Sequence, residues 1–214
     1  MGKRRIWDIS QPVRTGIPVW PGDTAYAEER TWSIGPGCPV TVSRLTLSSH
    51  TGTHADAPLH YAADGEPAGA LDLTRYLGPA LLLHVRPGLP RVEPAHLDGR
   101  VPPGTRRLLL RTMGSFPHAA WDSRFTALAA ETVDLLAGLG VRLIGVDSPS
   151  LDPEDSKTLD AHHAVHRHGL SILEGLVLDG VPEGAYELIA LPLKLATADA
   201  APVRAILRDL PRQG

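Results

Sequence analysis

The chain has 214 residues, 43% of them hydrophobic and 21% charged, with a formal net charge of -3, the balance of an ordinary globular protein long enough for one well-packed domain. Lys plus Arg number 21 against 24 Asp plus Glu, so the composition implies no concentrated basic surface for a nucleic-acid backbone. The only cysteine, Cys38, excludes an internal disulfide and a thiolate zinc cluster, which leaves nitrogen and oxygen as the ligands of any metal.

In chain order, Met1-Gly2-Lys3-Arg4-Arg5 imitates the basic start of a signal peptide, but Asp8, Ser10, Gln11 and Pro12 stand where an apolar core should follow. A cytoplasmic location is therefore expected. Short apolar runs at 6–9, 40–47, 81–85, 107–111, 143–146, 173–178 and 186–191 predict strands, because each is rich in branched residues and flanked by turn formers. Residues 127–139, followed by Gly140, and 158–168, followed by Gly169, carry helical spacing and a stop. Residues 65–69 read as a loop, and the 21 glycines and 20 prolines are scattered between elements. The expected fold is α/β with a β-rich mixed sheet in a single domain. No segment suits a bilayer span, since 81–85 is short and 188–195 is broken by Pro192 and Lys194.

The most informative stretch is His50-Thr51-Gly52-Thr53-His54-Ala55-Asp56-Ala57-Pro58-Leu59-His60. Thr51, Gly52, Thr53 and Pro58 disfavour a helix, so an extended conformation is expected, with His50, His54 and Asp56 on one side and Gly52 leaving that side open. Two imidazoles and a carboxylate converging on one point suit Zn²⁺, and a set of only about three protein ligands leaves a position for water, as catalytic zinc sites do. A second histidine cluster spans Asp160-Ala161-His162-His163-Ala164-Val165-His166-Arg167-His168. Spacing alone does not choose its ligand: His162 and His166 form an i, i+4 pair and His163 is equally basic. Glu174 is sharper, because it interrupts the apolar run 172–178, where a carboxylate costs several kcal/mol unless a cation or strong donors compensate it. Trp20 lies between Pro18, Pro21 and Gly22, a rigid loop from which an aromatic ring can cover a ligand.

These residues carry a resemblance. The stretch from His50 to His60 resembles the HxGTHxDxPxH signature of the cyclase family of metal-dependent hydrolases. Trp7-Asp8-Ile9-Ser10, Val19-Trp20-Pro21-Gly22-Asp23, Asp155-Ser156-Lys157-Thr158-Leu159-Asp160-Ala161-His162-His163 and Ile172-Leu173-Glu174-Gly175 together resemble the bacterial kynurenine formamidase branch of that family. The resemblance implies a β-rich fold of the swivelling type, a homodimer, and two zinc ions per chain held by His50, His54, Asp56, His162 and Glu174, with Asp56 bridging. It further implies His60 as proton donor and acceptor, Trp20 as a substrate-contacting aromatic, and an aryl formamide, N-formyl-L-kynurenine, as the small-molecule substrate in tryptophan breakdown.

Two other readings compete. An isatin-hydrolase-like member of the same family would open a cyclic aryl amide with the same ligands, and only the pocket would differ. A metal-binding protein without catalysis would need a closed coordination shell and no His60. Asp147, Ser148 and Cys38 read as structural, and His84, His96 and His118 are isolated, so no function is expected of them.

Overall fold

A computed structural model describes residues 4–211; Met1 to Lys3, part of the basic start noted above, lie outside the described residues. Among the described residues thirteen strands and two α-helices follow one another, with short 3-10 turns between some of them: β1 (Ile6–Asp8), β2 (Ala27–Trp32), β3 (Val42–Thr46), β4 (His54–Asp56), β5 (Leu77–His84), β6 (Arg91–Val92), β7 (Arg107–Arg111) and β8 (Ala127–Leu128). Then come α1 (Ala130–Gly138), β9 (Leu143–Val146), α2 (Asp160–His168), β10 (Ser171–Leu173), β11 (Gly184–Ile189), β12 (Ala200–Pro202) and β13 (Ile206–Asp209).

Seven of the strands form one mixed sheet in the order β1-β13-β11-β5-β7-β9-β10. Pairings from β1 to β5 are antiparallel, and those from β5 to β10 are parallel. The parallel half is covered on both faces, which is why its strands read as unbroken apolar runs. Alternation assigns their side chains to opposite sides. Leu83, Leu108, Leu110, Ile144, Val146 and Ile172 join Val133 and Leu136 of α1 and Val165 of α2 in one core, while Leu82, Leu109, Leu143 and Leu173 meet Tyr76, Leu188 and Leu207 in the other. Helix α1 begins three residues later than predicted, because Ala127 and Leu128 pair with Arg91 and Val92 as a short parallel ladder.

Two sequence expectations are corrected. Residues 173–178 are not one strand: β10 ends at Leu173, and Gly175 turns the chain at a φ of +63°. Leu176 and Leu178 are buried nonetheless, their apolar character serving a core that the chain reaches irregularly, through Leu176 N–H to Val146 O and Val177 N–H to Ile9 O. Residues 50–56 are not continuously extended either. A turn closed by Thr51 N–H to Ser48 O and Gly52 at a φ of +72° precede β4, so only His54 and Asp56 share a strand face. A Cβ on Gly52 would meet Val13 and Ile17.

Strands β2 and β3 form a separate hairpin whose residues are all exposed. Among the described residues no helix is long and apolar enough to cross a membrane.

Candidate metal centre

Strand β4 carries His54 and Asp56 into the interior, where both are buried. Glu174, the residue after β10, faces His54 in an antiparallel bridge in which each backbone N–H donates to the other's carbonyl, at 3.2 and 3.0 Å. The two segments approach closely at their glycines: a Cβ on Gly175 would lie 2.7 Å from Gly52 O and 2.6 Å from Gln11 Nε2. Thr53 Oγ1 donates to Gly175 O at 2.6 Å and accepts Gln11 N–H at 2.9 Å, which locks the same junction. Helix α2 supplies His162. Its buried face is Ala161, His162, Ala164 and Val165, so His163, His166 and His168 point to solvent. Burial thus separates the histidines that spacing left equivalent.

Ligand atoms of His50, His54 and Asp56 lie within 4.8 Å of one another, and so do those of Asp56, His162 and Glu174. Asp56 belongs to both groups. Its Oδ1 is 3.2 Å from His50 Nδ1 and 3.3 Å from His54 Nε2, and its Oδ2 is 3.4 Å from His162 Nε2. Glu174 places Oε2 3.4 Å from His54 Nε2 and Oε1 3.6 Å from His162 Nε2. The five expected ligands therefore form two groups joined at Asp56, with four of the residues buried and His50 half-buried.

The outer edge of each ring fixes its tautomer. His54 Nδ1 faces Gly52 O at 3.0 Å, His162 Nδ1 faces Asp152 Oδ2 at 2.6 Å, and His50 Nε2 faces Asp199 Oδ2 at 3.0 Å. Carbonyls and carboxylates only accept, so each of these nitrogens carries the hydrogen and the opposite nitrogen presents a lone pair inward. Lone pairs then confront carboxylate oxygens. Both oxygens of Asp56 and Nε2 of His54 are buried without a hydrogen-bond partner, a costly arrangement that a cation among them resolves. The donor set of imidazoles and carboxylates, with outer acceptors orienting the rings, fits zinc.

The electrostatics agree. Burial pushes the His54 imidazole down, but Asp56 and Glu174 outweigh it and raise it to about 10. His162 is likewise raised, burial opposing and Asp152, Asp56 and Glu174 prevailing. Asp56 sits well below the usual carboxylate range although burial opposes this, because His162, His50 and His54 surround it. The centre demands positive charge, and protons supply it where a metal does not.

His60 ends a 3-10 turn, Pro58–His60, that follows β4, and one of its ring nitrogens lies within 4.8 Å of ligand atoms of His50 and Asp199. The ring lies 4.2 Å from that of His50 and 6.1 Å from that of His162, centre to centre. The loop at 65–69 buttresses this turn: Leu59 N–H donates to Glu66 O, and a Cβ on Gly65 would fall 2.3 Å from the Pro58 carbonyl carbon. Above the cluster is a cavity of about 280 Å³, lined by Trp20, His60, Met113, Phe116 and Trp121 and by four residues of the cluster, His50, His54, His162 and Glu174. Trp20 is half-buried, its ring edge-on to Trp121 at 5.3 Å. Asp147, which also lines the cavity, accepts from Thr112 and Met113 and so shapes the wall.

Two residues escaped the sequence reading. Asp152 grips His162 Nδ1 and also accepts the Ala161 and His162 N–H groups at 3.0 Å each, satisfying the start of α2. Asp199 binds His50 from the far side. The only sequence signal was a carboxylate inside the small-residue run Ala196-Thr197-Ala198-Asp199-Ala200-Ala201.

Residues 7–153 match the Cyclase family model, described as "Putative cyclase". A curated relative from Maricaulis maris (strain MCS10), "Kynurenine formamidase", is 58% identical over 207 residues, covering 97% of this chain and 99% of the relative. A solved structure described as a "potential metal-dependent hydrolase with cyclase activity" superposes with a TM-score of 0.83 at 30% identity, covering 98% of this chain and 100% of that one. Isatin hydrolase A from Labrenzia aggregata shares the fold with a TM-score of 0.81 at 19% identity, covering 97% and 94%. The β-rich mixed α/β architecture expected from the motifs is the one observed, and the chain belongs to the cyclase family.

Proposed function

We propose that the chain is a single-domain, zinc-dependent amide hydrolase that converts N-formyl-L-kynurenine to formate and L-kynurenine in tryptophan degradation. The observation that carries this reading is the near-full-length similarity to the Maricaulis maris protein, joined to an aromatic-walled cavity whose floor is the His/Asp/Glu cluster. Two zinc ions per chain would be held by His50, His54, Asp56, His162 and Glu174, with Asp56 shared. When bound, zinc supplies Lewis-acid polarisation of the formyl carbonyl and lowers the pKa of a coordinated water from about 15.7 toward about 7. Overall, water adds across the formyl C–N bond: hydroxyl goes to carbon, and the released aryl nitrogen takes a proton. An anilide leaves poorly unless it is protonated, and His60, lining the cavity beside the cluster, is assigned that proton transfer. Trp20 and Trp121 hold the aryl ring and exclude water.

Elemental analysis after zinc loading is expected to give close to two equivalents per chain. A ceiling of one would end the binuclear assignment and leave a mononuclear hydrolase. Trp20→Ala is expected to raise KM about 2- to 10-fold with unchanged metal content, the loss of one aromatic contact. A melting temperature far below that of the parent would instead make Trp20 a packing residue.

A homodimer draws support from the β2–β3 hairpin. A two-stranded ribbon is marginal on its own, yet this one carries Trp32 at 60% and Ile34 at 71% exposure, apolar surface of the kind that marks an interface. A cytoplasmic setting fits a small-molecule catabolic role. Parallel assays of purified protein with N-formyl-L-kynurenine and isatin test the substrate. Preference for isatin would transfer the assignment to a cyclic amide hydrolase, and turnover of neither would favour metal binding alone.

A further inference from the structure

His60 has one side-chain hydrogen-bond partner among the described residues: its Nδ1 lies 3.4 Å from Asp199 Oδ2. The same oxygen is 3.0 Å from His50 Nε2. Since a carboxylate oxygen only accepts, both contacts place the hydrogen on the ring nitrogen facing Asp199. His50 is thereby left with its Nδ1 lone pair toward Asp56 at 3.2 Å, and His60 with a free Nε2. One oxygen sets the tautomer of a ligand and of the acid–base residue together.

Asp199 is itself well fixed. It lies one residue before β12, which pairs with β4 in the register Ala200 to Asp56, and its carbonyl accepts Ala57 N–H at 2.9 Å. Ser49 Oγ donates to Oδ1 at 2.8 Å, which leaves Oδ2 for the two rings. Asp199 is absent from the cavity lining, so it acts on both imidazoles without meeting substrate.

We propose that Asp199 is a positioning residue shared by the metal site and the proton-transfer site, orienting His50 for zinc and His60 for the leaving nitrogen. The inference rests on the metal-hydrolase reading. Orienting carboxylates behind metal-bound histidines typically contribute about 10- to 100-fold in metal affinity or activity.

The test uses the full chain with Asp199→Ala and Ser49→Ala. Zinc affinity is read without substrate, by competition with a chromogenic chelator, and kcat and KM are then read at saturating zinc. Asp199→Ala is expected to lower zinc affinity and, separately, kcat, each about 10- to 100-fold, with KM within about 2-fold because the residue does not line the cavity. Ser49→Ala, which only unpins Oδ1, should move both quantities in the same direction by less. Unchanged zinc affinity, or full kcat at saturating zinc, overturns the proposal. Should Asp199→Ala melt far below the parent, Ser49→Ala decides alone, and parental values for it overturn the proposal equally. A parent protein that binds zinc but turns over no formamide would sink the functional reading, while the zinc competition would still report on Asp199 and His50.

Discussion

His60→Ala is expected to keep its metal and its fold yet lose about 10² to 10⁴ in kcat, the range for removal of a general acid–base group. The residue stands close enough in sequence to the expected ligands to be taken for one of them. Its backbone argues otherwise: Pro58 opens a 3-10 turn immediately after β4, and proline cannot continue the regular alternation that aims His54 and Asp56 inward. The ring is 35% exposed at its side chain, against 4% for His54, and it borders the cavity. In the proposed mechanism such a group moves protons to and from bound substrate and is dispensable for holding zinc. Bound zinc and turnover measured on identically prepared parent and variant check the claim. Loss of metal in step with activity would make His60 a ligand.

His54→Ala should behave in the opposite way, losing zinc and activity together. The imidazole is almost wholly buried, touches both Asp56 and Glu174, and is the ring whose inner nitrogen lacks any other partner. Its removal leaves two buried carboxylates facing a void, so the expected drop in zinc affinity exceeds the roughly 10- to 100-fold typical of residues that only orient ligands. Excess metal should restore part of both properties by mass action. Retention of two zinc equivalents with low turnover would remove His54 from the ligand set.

Legibility in the sequence followed the range of the interactions. Strands 107–111 and 143–146 have the predicted bounds because their apolar residues, the three leucines 108–110 and all four residues of 143–146, are buried. Residues 173–178 misled for the same reason: burial of Leu176 and Leu178 looked like a strand, whereas a single turn at Gly175 sends the chain elsewhere. Strand β2, Ala-Glu-Glu-Arg-Thr-Trp, has no buried face and so offered no periodic signal. Within the site, His54, Asp56 and Glu174 were legible from residue chemistry, since a carboxylate in an apolar run requires compensation. His162 was not separable from His163 and His166 by spacing, because that distinction is which face of α2 meets the sheet. Asp152 and Asp199 could not be assigned a role from sequence, as each acts across a contact that exists only after folding, 10 residues from His162 and 149 from His50.

The expected activity of this cluster, when it holds metal, is hydrolysis of an aryl formamide. Its most direct test is formate release from N-formyl-L-kynurenine by the purified protein, before chelation, after exhaustive chelation and dialysis, and after zinc is returned. Turnover that vanishes on chelation and recovers in proportion to zinc bound, up to two equivalents, is the predicted result. Turnover that survives with no metal in the protein would contradict it.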